Sequence, residues 1–355
     1  MPTHYSIKYR HQDNHLKRLL KRLLVPILAS RPVTAIAHQL FNCGIPIFML
    51  HRIAQDGQPD IGKTDPNHIR QCLDYLHNRN YTFISLEHLI LSLRHRKTIP
   101  PKSVVFTMDD GYLDQAEIAS PIFLEYDCPL TFFVITGMLD QDILPWDAQV
   151  SWVIETSKNS SLENCKIVRS LNLQHDGKVS RRQLRRSIQT AIKKLDAKTI
   201  PEVLQQLARD AGVTLPDSPP ENYRPMTWNM ARQLEHQGIQ FAPHSVSHNI
   251  LSRLSQKEME KEINHAWQTI AKELSNPLKV FCYPNGQMMD FGGREMEFLK
   301  DNGFLGAVST TPEFVQPEKN AESQIYNLPR LALPNNMTDF IQQCSWIERA
   351  RGIKQ

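Results

Sequence analysis

Short apolar runs alternate along the chain with stretches in which apolar residues recur every three or four positions. Six runs read as strands: Ile45 to Leu50, Ser103 to Met108, Leu130 to Ile135, Ile239 to Ala242, Leu278 to Cys282 and Phe304 to Ser309. Between them the helical period appears around 65–79, 113–126, 227–237, 255–274 and 293–302. Strands alternating with helices predict an α/β protein built on a parallel sheet or barrel.

The alternation is interrupted once. From Asp140 to Arg224 no strand pattern appears; Val179 to Asp210 reads as a basic helix, and Pro216, Pro219, Pro220 and Pro225 mark a linker after it. This predicts a helical insertion at 140–224 inside a barrel formed by 41–139 and 225–349. Ahead of the barrel, Leu16, Leu19, Leu20, Leu23, Leu24 and Ile27 recur at helical spacing while basic residues fill the other face, which predicts a basic amphipathic segment over 1–40.

Charge sharpens that last feature. The chain has a formal net charge of +4, yet residues 1–40 hold seven Lys and Arg against Asp13 alone, a net +6, so the remainder is 4 − 6 = −2. Two uses of such a helix are open, packing on the body or peripheral attachment to an anionic membrane surface. The segment fits a secretory signal poorly, because its apolar part is short, contains Pro26 and runs into Arg31. A cytoplasmic protein, with peripheral contact at the inner membrane face, is therefore expected. The 355 residues are 41% apolar and 22% charged, and no apolar run reaches a membrane-spanning length. Six cysteines without a C-x-x-C pair indicate thiols in a reducing compartment, and no aromatic-interleaved basic motif points to nucleic acid.

Chemistry gathers at the ends of the strands. Thr107-Met108-Asp109-Asp110-Gly111-Tyr112 closes one with the only Asp-Asp pair in the sequence, followed by a glycine suited to a sharp turn. One such carboxylate can bind a metal while the other takes a proton; an Asp-Gly turn with a helix cap is the plainer use. Pro243-His244-Ser245-Val246-Ser247-His248 follows another strand, and imidazoles four apart converge on one cation if the segment makes a helical turn. His11 and His15 repeat that spacing among polar residues, so position rather than spacing favours His244 and His248, which lie where barrel enzymes place their catalytic groups. One carboxylate with two histidines leaves coordination positions open, which suits one divalent ion: zinc first, then cobalt, nickel or another. Phe281-Cys282-Tyr283-Pro284-Asn285-Gly286 ends a third strand in a turn whose backbone N–H groups suit an oxyanion, and Met49-Leu50-His51-Arg52 ends the first.

Together these segments resemble the polysaccharide deacetylase family, the NodB-type carbohydrate esterases, whose motifs read T-F-D-D-G-Y and H-[ST]-x-x-H; here they stand as TMDDGY and HSVSH, in that order. The resemblance spans roughly 44–335 and is supported by Met226-Thr227-Trp228 and Asn327-Leu328-Pro329-Arg330. It implies a distorted (β/α) barrel of about seven strands, with Asp109 as general base and Asp110, His244 and His248 as metal ligands. The family's third motif often carries an arginine that steers the base; this chain has Cys282 and Asn285 in that region, so Arg330 is the expected substitute. No histidine follows His265, so the late histidine that serves as general acid in the family is absent; the resemblance to members with permuted barrel order implies His51 in that role.

The expected reaction is metal-dependent removal of N-acetyl groups from a polysaccharide or a lipid-linked glycan precursor. Asp109 would take a proton from water, a backbone N–H near Asn285 would hold the oxyanion, and His51 would protonate the departing amine. Tyr112, Trp228 and Tyr283 are the aromatic side chains expected to stack on sugar rings. The alternatives are an O-acetyl esterase or other amidase of the same fold, or a catalytically silent sugar-binding barrel.

Overall fold

The structure, a computed structural model, describes residues 15–30, 32–33, 44–55, 62–140, 143–158, 162, 165, 169, 180–317 and 322–347. All six apolar runs contain strands: β1 (Ile47–Leu50), β3 (Ser103–Asp110), β4 (Leu130–Val134), β5 (Gln240–Pro243), β6 (Val280–Cys282) and β7 (Gly306–Val308). Two further strands, β2 (Thr82–Phe83) and β8 (Leu331–Ala332), are two residues long and too short to show a period.

Every ladder is parallel. The main sheet runs β5-β4-β3-β1-β8 with β2 also on β3, and β6 pairs with β7 in a ladder of its own. β3 is the centre of this arrangement. It is buried at every position, Leu50 of β1 lies opposite its Met108, and its Asp109 and Asp110 lie opposite Phe133 and Val134 of β4. The two sheets are joined by single links: Leu278 N–H donates to Phe241 O (2.7 Å), and a bridge pairs Val308 with Leu328 just before β8. The result is a distorted barrel, its hydrogen-bonding interrupted on either side of β6–β7.

The helices follow the predicted periods closely. Among the described residues the α-helices longer than four residues are, in chain order, α1 (His15–Leu28), α2 (Pro66–Asn78), α3 (Leu86–Arg94), α4 (Ser120–Glu125), α5 (Trp146–Thr156), α6 (Arg181–Ile192), α7 (Ile200–Ala211), α8 (Trp228–His236), α9 (Gln256–Glu273), α10 (Gly293–Asp301) and α11 (Met337–Cys344). Their starts are chemically marked: Asp65, Ser85, Ser180, Thr227, Ser255 and Asn336 each accept a backbone N–H at the first turn. Ile47, Val105, Phe133, Ala242, Val280 and Val308 fill the barrel side by side. Between β4 and β5 the described residues form helices α5, α6 and α7, whose Trp146, Val153, Ile188, Leu204 and Leu207 make a core of their own.

The contacts divide the chain into two units, 44–333 and a smaller one made of 1–43 with 334–355. In the smaller unit α1 packs with α11, which the sequence reading assigns to the barrel. Lys21 Nζ lies 2.5 Å from Asp339 Oδ1, and Trp346 Nε1 donates to Leu28 O (3.0 Å). Of the basic segment, residues 1–14, 31 and 34–40, including His11, lie outside the described residues.

Candidate active site

In a regular strand consecutive side chains point to opposite faces, so Asp109 and Asp110 would be separated by the sheet. They are not, because Asp110 has left-handed backbone (φ +84°), and the chain turns again at Gly111 (φ +90°). Glycine is required there twice over: a Cβ would sit 2.8 Å from Leu139 Cδ1, and positive φ is costly for other residues. Both carboxylates consequently line one pocket of about 140 Å³, together with His51, His244, His248 and Asn285.

His244 and His248 reach the same pocket by a route the spacing does not predict. The segment after β5 makes no helical turn; it is a loop in which Ser245 (φ +62°) and His248 (φ +59°) are both left-handed. Ser245 Oγ accepts His248 N–H (3.0 Å), and Glu262 of α9 accepts the N–H groups of Val246 (2.9 Å) and Ser247 (3.0 Å). Braced this way, the two imidazoles stand 4.8 Å apart, centre to centre. With Asn285 (φ +60°), four of the pocket's or its loops' non-glycine residues hold positive φ, strain of the kind that accumulates where side chains must be aimed.

The outer ring nitrogens are both engaged. His244 Nδ1 lies 2.9 Å from Cys282 O, which as a carbonyl only accepts, so Nδ1 carries the proton and Nε2 presents its lone pair. His248 Nδ1 lies 3.1 Å from Asp147 Oδ1. The inner nitrogens face Asp110: Oδ1 is 3.7 Å from His244 Nε2 and 4.0 Å from His248 Nε2. Those separations are too long for hydrogen bonds and suit three donors around a shared cation. Burial pushes Asp110 up to about 6, with Asp147 and Asp109 adding to it against the opposing pull of His51 and His248. Burial and the neighbouring His248 push His244 down to about 3, while at His248 the carboxylates of Asp147 and Asp110 outweigh burial and raise it to about 9.

A second trio, Asp109, His244 and Cys282, is also close enough to hold an ion. Its chemistry does not fit one. Arg330, completely buried, donates Nη1 to Asp109 Oδ1 and Nη2 to Oδ2, both at 2.7 Å, and occupies that carboxylate. Burial meanwhile pushes the Cys282 thiol well above its ordinary range, so it stays protonated. Arg330 is fixed by Ser309 O (3.0 Å), Thr107 Oγ1 (3.0 Å) and Cys282 Sγ (3.1 Å) as well. Burial alone would raise Asp109, but the guanidinium outweighs it and holds the carboxyl well below the usual range. His51 Nε2 lies 3.7 Å from Asp109 Oδ2 on the open side of the pocket. Asn285 Nδ2 is buried with no hydrogen-bond partner among the described residues, leaving a donor aimed into the pocket lining.

The three aromatic residues fare differently from their expected role. Tyr283 is 1% exposed, stacks on Phe291 (centroids 3.8 Å, planes 2° apart) and donates its OH to Tyr326 O, so its ring belongs to the core. Tyr112 is 5% exposed, and the Arg52 guanidinium lies 4.1 Å over its ring; it reaches a second pocket of about 210 Å³ that shares His51, Asp110 and Asp147 with the first. Trp228 opens α8, donates to Asp140 Oδ1 (2.7 Å) and lines neither pocket. Three groups escape a reading of the sequence: Asp147, Glu262 and Gln115, whose amide donates to both His51 O and Asp109 O. In sequence Asp147 is merely an acid in the first turn of α5, and Glu262 one of several on α9. Only Asp147, beside Pro145-Trp146 at a helix start, carries any local signal.

Acidic and imidazole groups gathered at the C-terminal strand ends of a parallel α/β barrel stand where barrel enzymes place their catalytic groups. The chain belongs to the polysaccharide deacetylase family: the family's sequence profile, described as "Polysaccharide deacetylase", matches residues 96–295. No curated protein matches it by sequence. Among solved structures it is similar to the Streptococcus pyogenes deacetylase PplD (17% identity, TM-score 0.55, covering 85% of this chain and 98% of that one). IcaB from Ammonifex degensii is comparable (15%, TM-score 0.56, 86% and 97%), as is a de-N-acetylase from Aggregatibacter actinomycetemcomitans (13%, TM-score 0.52, 83% and 97%). At these identities the likeness is one of fold.

Proposed function

We propose that this deacetylase is metal-dependent and removes N-acetyl groups from a glycan, with Asp110, His244 and His248 as ligands of one divalent ion, zinc foremost. The observation that carries the reading is the division of labour between adjacent carboxylates: Asp109 is saturated by Arg330, whereas Asp110 faces two imidazole nitrogens at 3.7 and 4.0 Å. When bound, such an ion supplies Lewis acidity toward water and toward the acetyl carbonyl. Asp109 stays ionised because of Arg330 and accepts a proton from the attacking water. His51, on the open side, gives a proton to the departing nitrogen; an amine leaves poorly without one, which favours amide over ester substrates. Asn285 contributes donors to the developing oxyanion. The de-N-acetylase named above, alike in fold, supports the same choice of bond.

Metal analysis and acetate release separate these roles. Purified chain is expected to hold about one divalent ion per molecule, and His244→Ala/His248→Ala to hold none; full occupancy in that double variant rejects the ligand set. Asp109→Asn is expected to keep the ion while turnover falls by about 10²–10⁴, whereas Asp110→Asn weakens the ion itself. Equal metal loss in both would mean that the base is misassigned. Run over N-acetylated polymers, lipid-linked glycans and O-acetylated sugars, the same acetate assay identifies the substrate; release from O-acetyl esters alone would reject amide specificity.

A further inference from the structure

We propose that α1 docks its leucine face into the interface of an anionic phospholipid bilayer, independently of the reaction catalysed. If the helix used its leucines to pack within its own unit, they would be buried. Instead Leu19, Leu20, Leu23, Leu24 and Ile27 are 49%, 46%, 59%, 50% and 62% exposed. At 100° per residue these five form one continuous stripe. The residues that attach the helix within its unit lie on the opposite side, where Val25 and Ala29 are buried and Trp346 bonds to Leu28 O. The helix thus has two apolar faces, one small and used, one large and open to solvent.

Charge selects the occupant. The helix carries Lys17, Arg18, Lys21 and Arg22 and no acidic residue, with one of the four, Lys21, paired to Asp339. At 100° per residue the four cations lie outside the stripe, with Lys17 and Arg22 bordering its two edges, so a second copy packed on the stripe would bring like charges together along those edges, which is repulsive. An anionic lipid surface offers the complementary charge together with an apolar layer for the leucines. Fourteen residues of helix extend about 21 Å, short of the roughly 30 Å hydrocarbon core, so α1 lies along the interface and does not cross it. No helix among the described residues is long and apolar enough to cross a membrane.

The full chain tests this by co-sedimentation with vesicles. Binding is expected to phosphatidylcholine vesicles containing about one third phosphatidylglycerol, to be absent with phosphatidylcholine alone, and to weaken as salt is raised. Leu19→Asn/Leu23→Asn/Ile27→Asn should lower partitioning about tenfold or more, and Lys17→Gln with Arg22→Gln about fivefold per charge. Because the three apolar positions are exposed, the thermal midpoint should not move, and acetate release from a soluble substrate should equal that of the parent chain. Failure of the parent chain to sediment at low salt overturns the proposal. So does a lowered midpoint in the leucine variant, which would make the stripe core, or a dimer in light scattering that the leucine variant dissolves without any vesicle binding, which would make it a self-association face.

Discussion

Replacing Arg330 by Gln is expected to destabilise the chain by about 3–5 kcal/mol, because it leaves Asp109 as a buried charge without its partner. The guanidinium is fully buried and both its terminal nitrogens bond the carboxylate at 2.7 Å. Thermal or urea unfolding reads the loss. Arg330→Gln/Asp109→Asn should recover part of it, since the second change removes the stranded charge; strict additivity of the two would show that the pair is not coupled. The same substitution has a signed pH effect. In the parent chain burial raises the Asp109 pKa, but Arg330 outweighs it and holds the group below its unfolded value of about 3.9. A depressed folded pKa means that the stabilisation from Asp109 is complete above that value and is lost as pH falls toward the folded one. Without Arg330 burial is opposed only by the smaller pull of His51 and His244, the carboxyl pKa climbs, and the acid limb of the kcat/KM profile moves to higher pH. An acid limb that stays where it was would exclude Asp109 as the base that Arg330 keeps ionised.

Asp147→Ala is expected to weaken metal affinity about 10- to 100-fold, although Asp147 is no member of the ligand cluster. Its Oδ1 meets His248 Nδ1 at 3.1 Å, on the side of the ring away from Asp110. There it fixes the ring orientation and makes the opposite nitrogen a better donor. Asp147 is itself held down to about 2, burial being outweighed by the His248 ring beside it, so it stays anionic at any working pH. Equilibrium titration with zinc or cobalt against a competing chelator gives the affinity without reference to turnover. Asp147→Asn, which keeps an acceptor oxygen but no charge, should fall between parent and Ala. Unchanged affinity in Asp147→Ala would mean that the contact is structural only. The position also links α5 to chemistry, for the core of Trp146, Val153 and Leu204 that it shares with α7 holds the carboxylate in place.

Much of this site is written locally. An apolar run ending in Asp-Asp-Gly is a strand with acids at its tip in almost any context, and a strand followed by two histidines is a rim segment by the same logic. Arg330 is different. It is 221 residues from Asp109 in sequence, and its partnership is visible in the chain only through the absence of an arginine where the family motif places one. The expected helical turn at His244–His248 fails for a related reason: spacing gives separation along the chain, not φ, and the loop is shaped by Glu262 from another helix. The expected stacking roles are not legible locally, because aromatic residues near a site serve the core as readily as a ligand. Tyr283 found Phe291, and Tyr112 found Arg52.

Periodicity and turn chemistry, both properties of a few consecutive residues, determined by themselves the six main strands, the flanking helices and the motifs Asp109-Asp110 and His244…His248 on one rim. Tertiary structure alone decided which nitrogen of each imidazole faces inward and that Arg330, the expected partner of the base, takes both oxygens of Asp109 and leaves Asp110 free of it. It alone brought Asp147 into the site. Each of these depends on groups far apart in sequence meeting in a medium without water, where one charge or one carbonyl fixes what its neighbour can do.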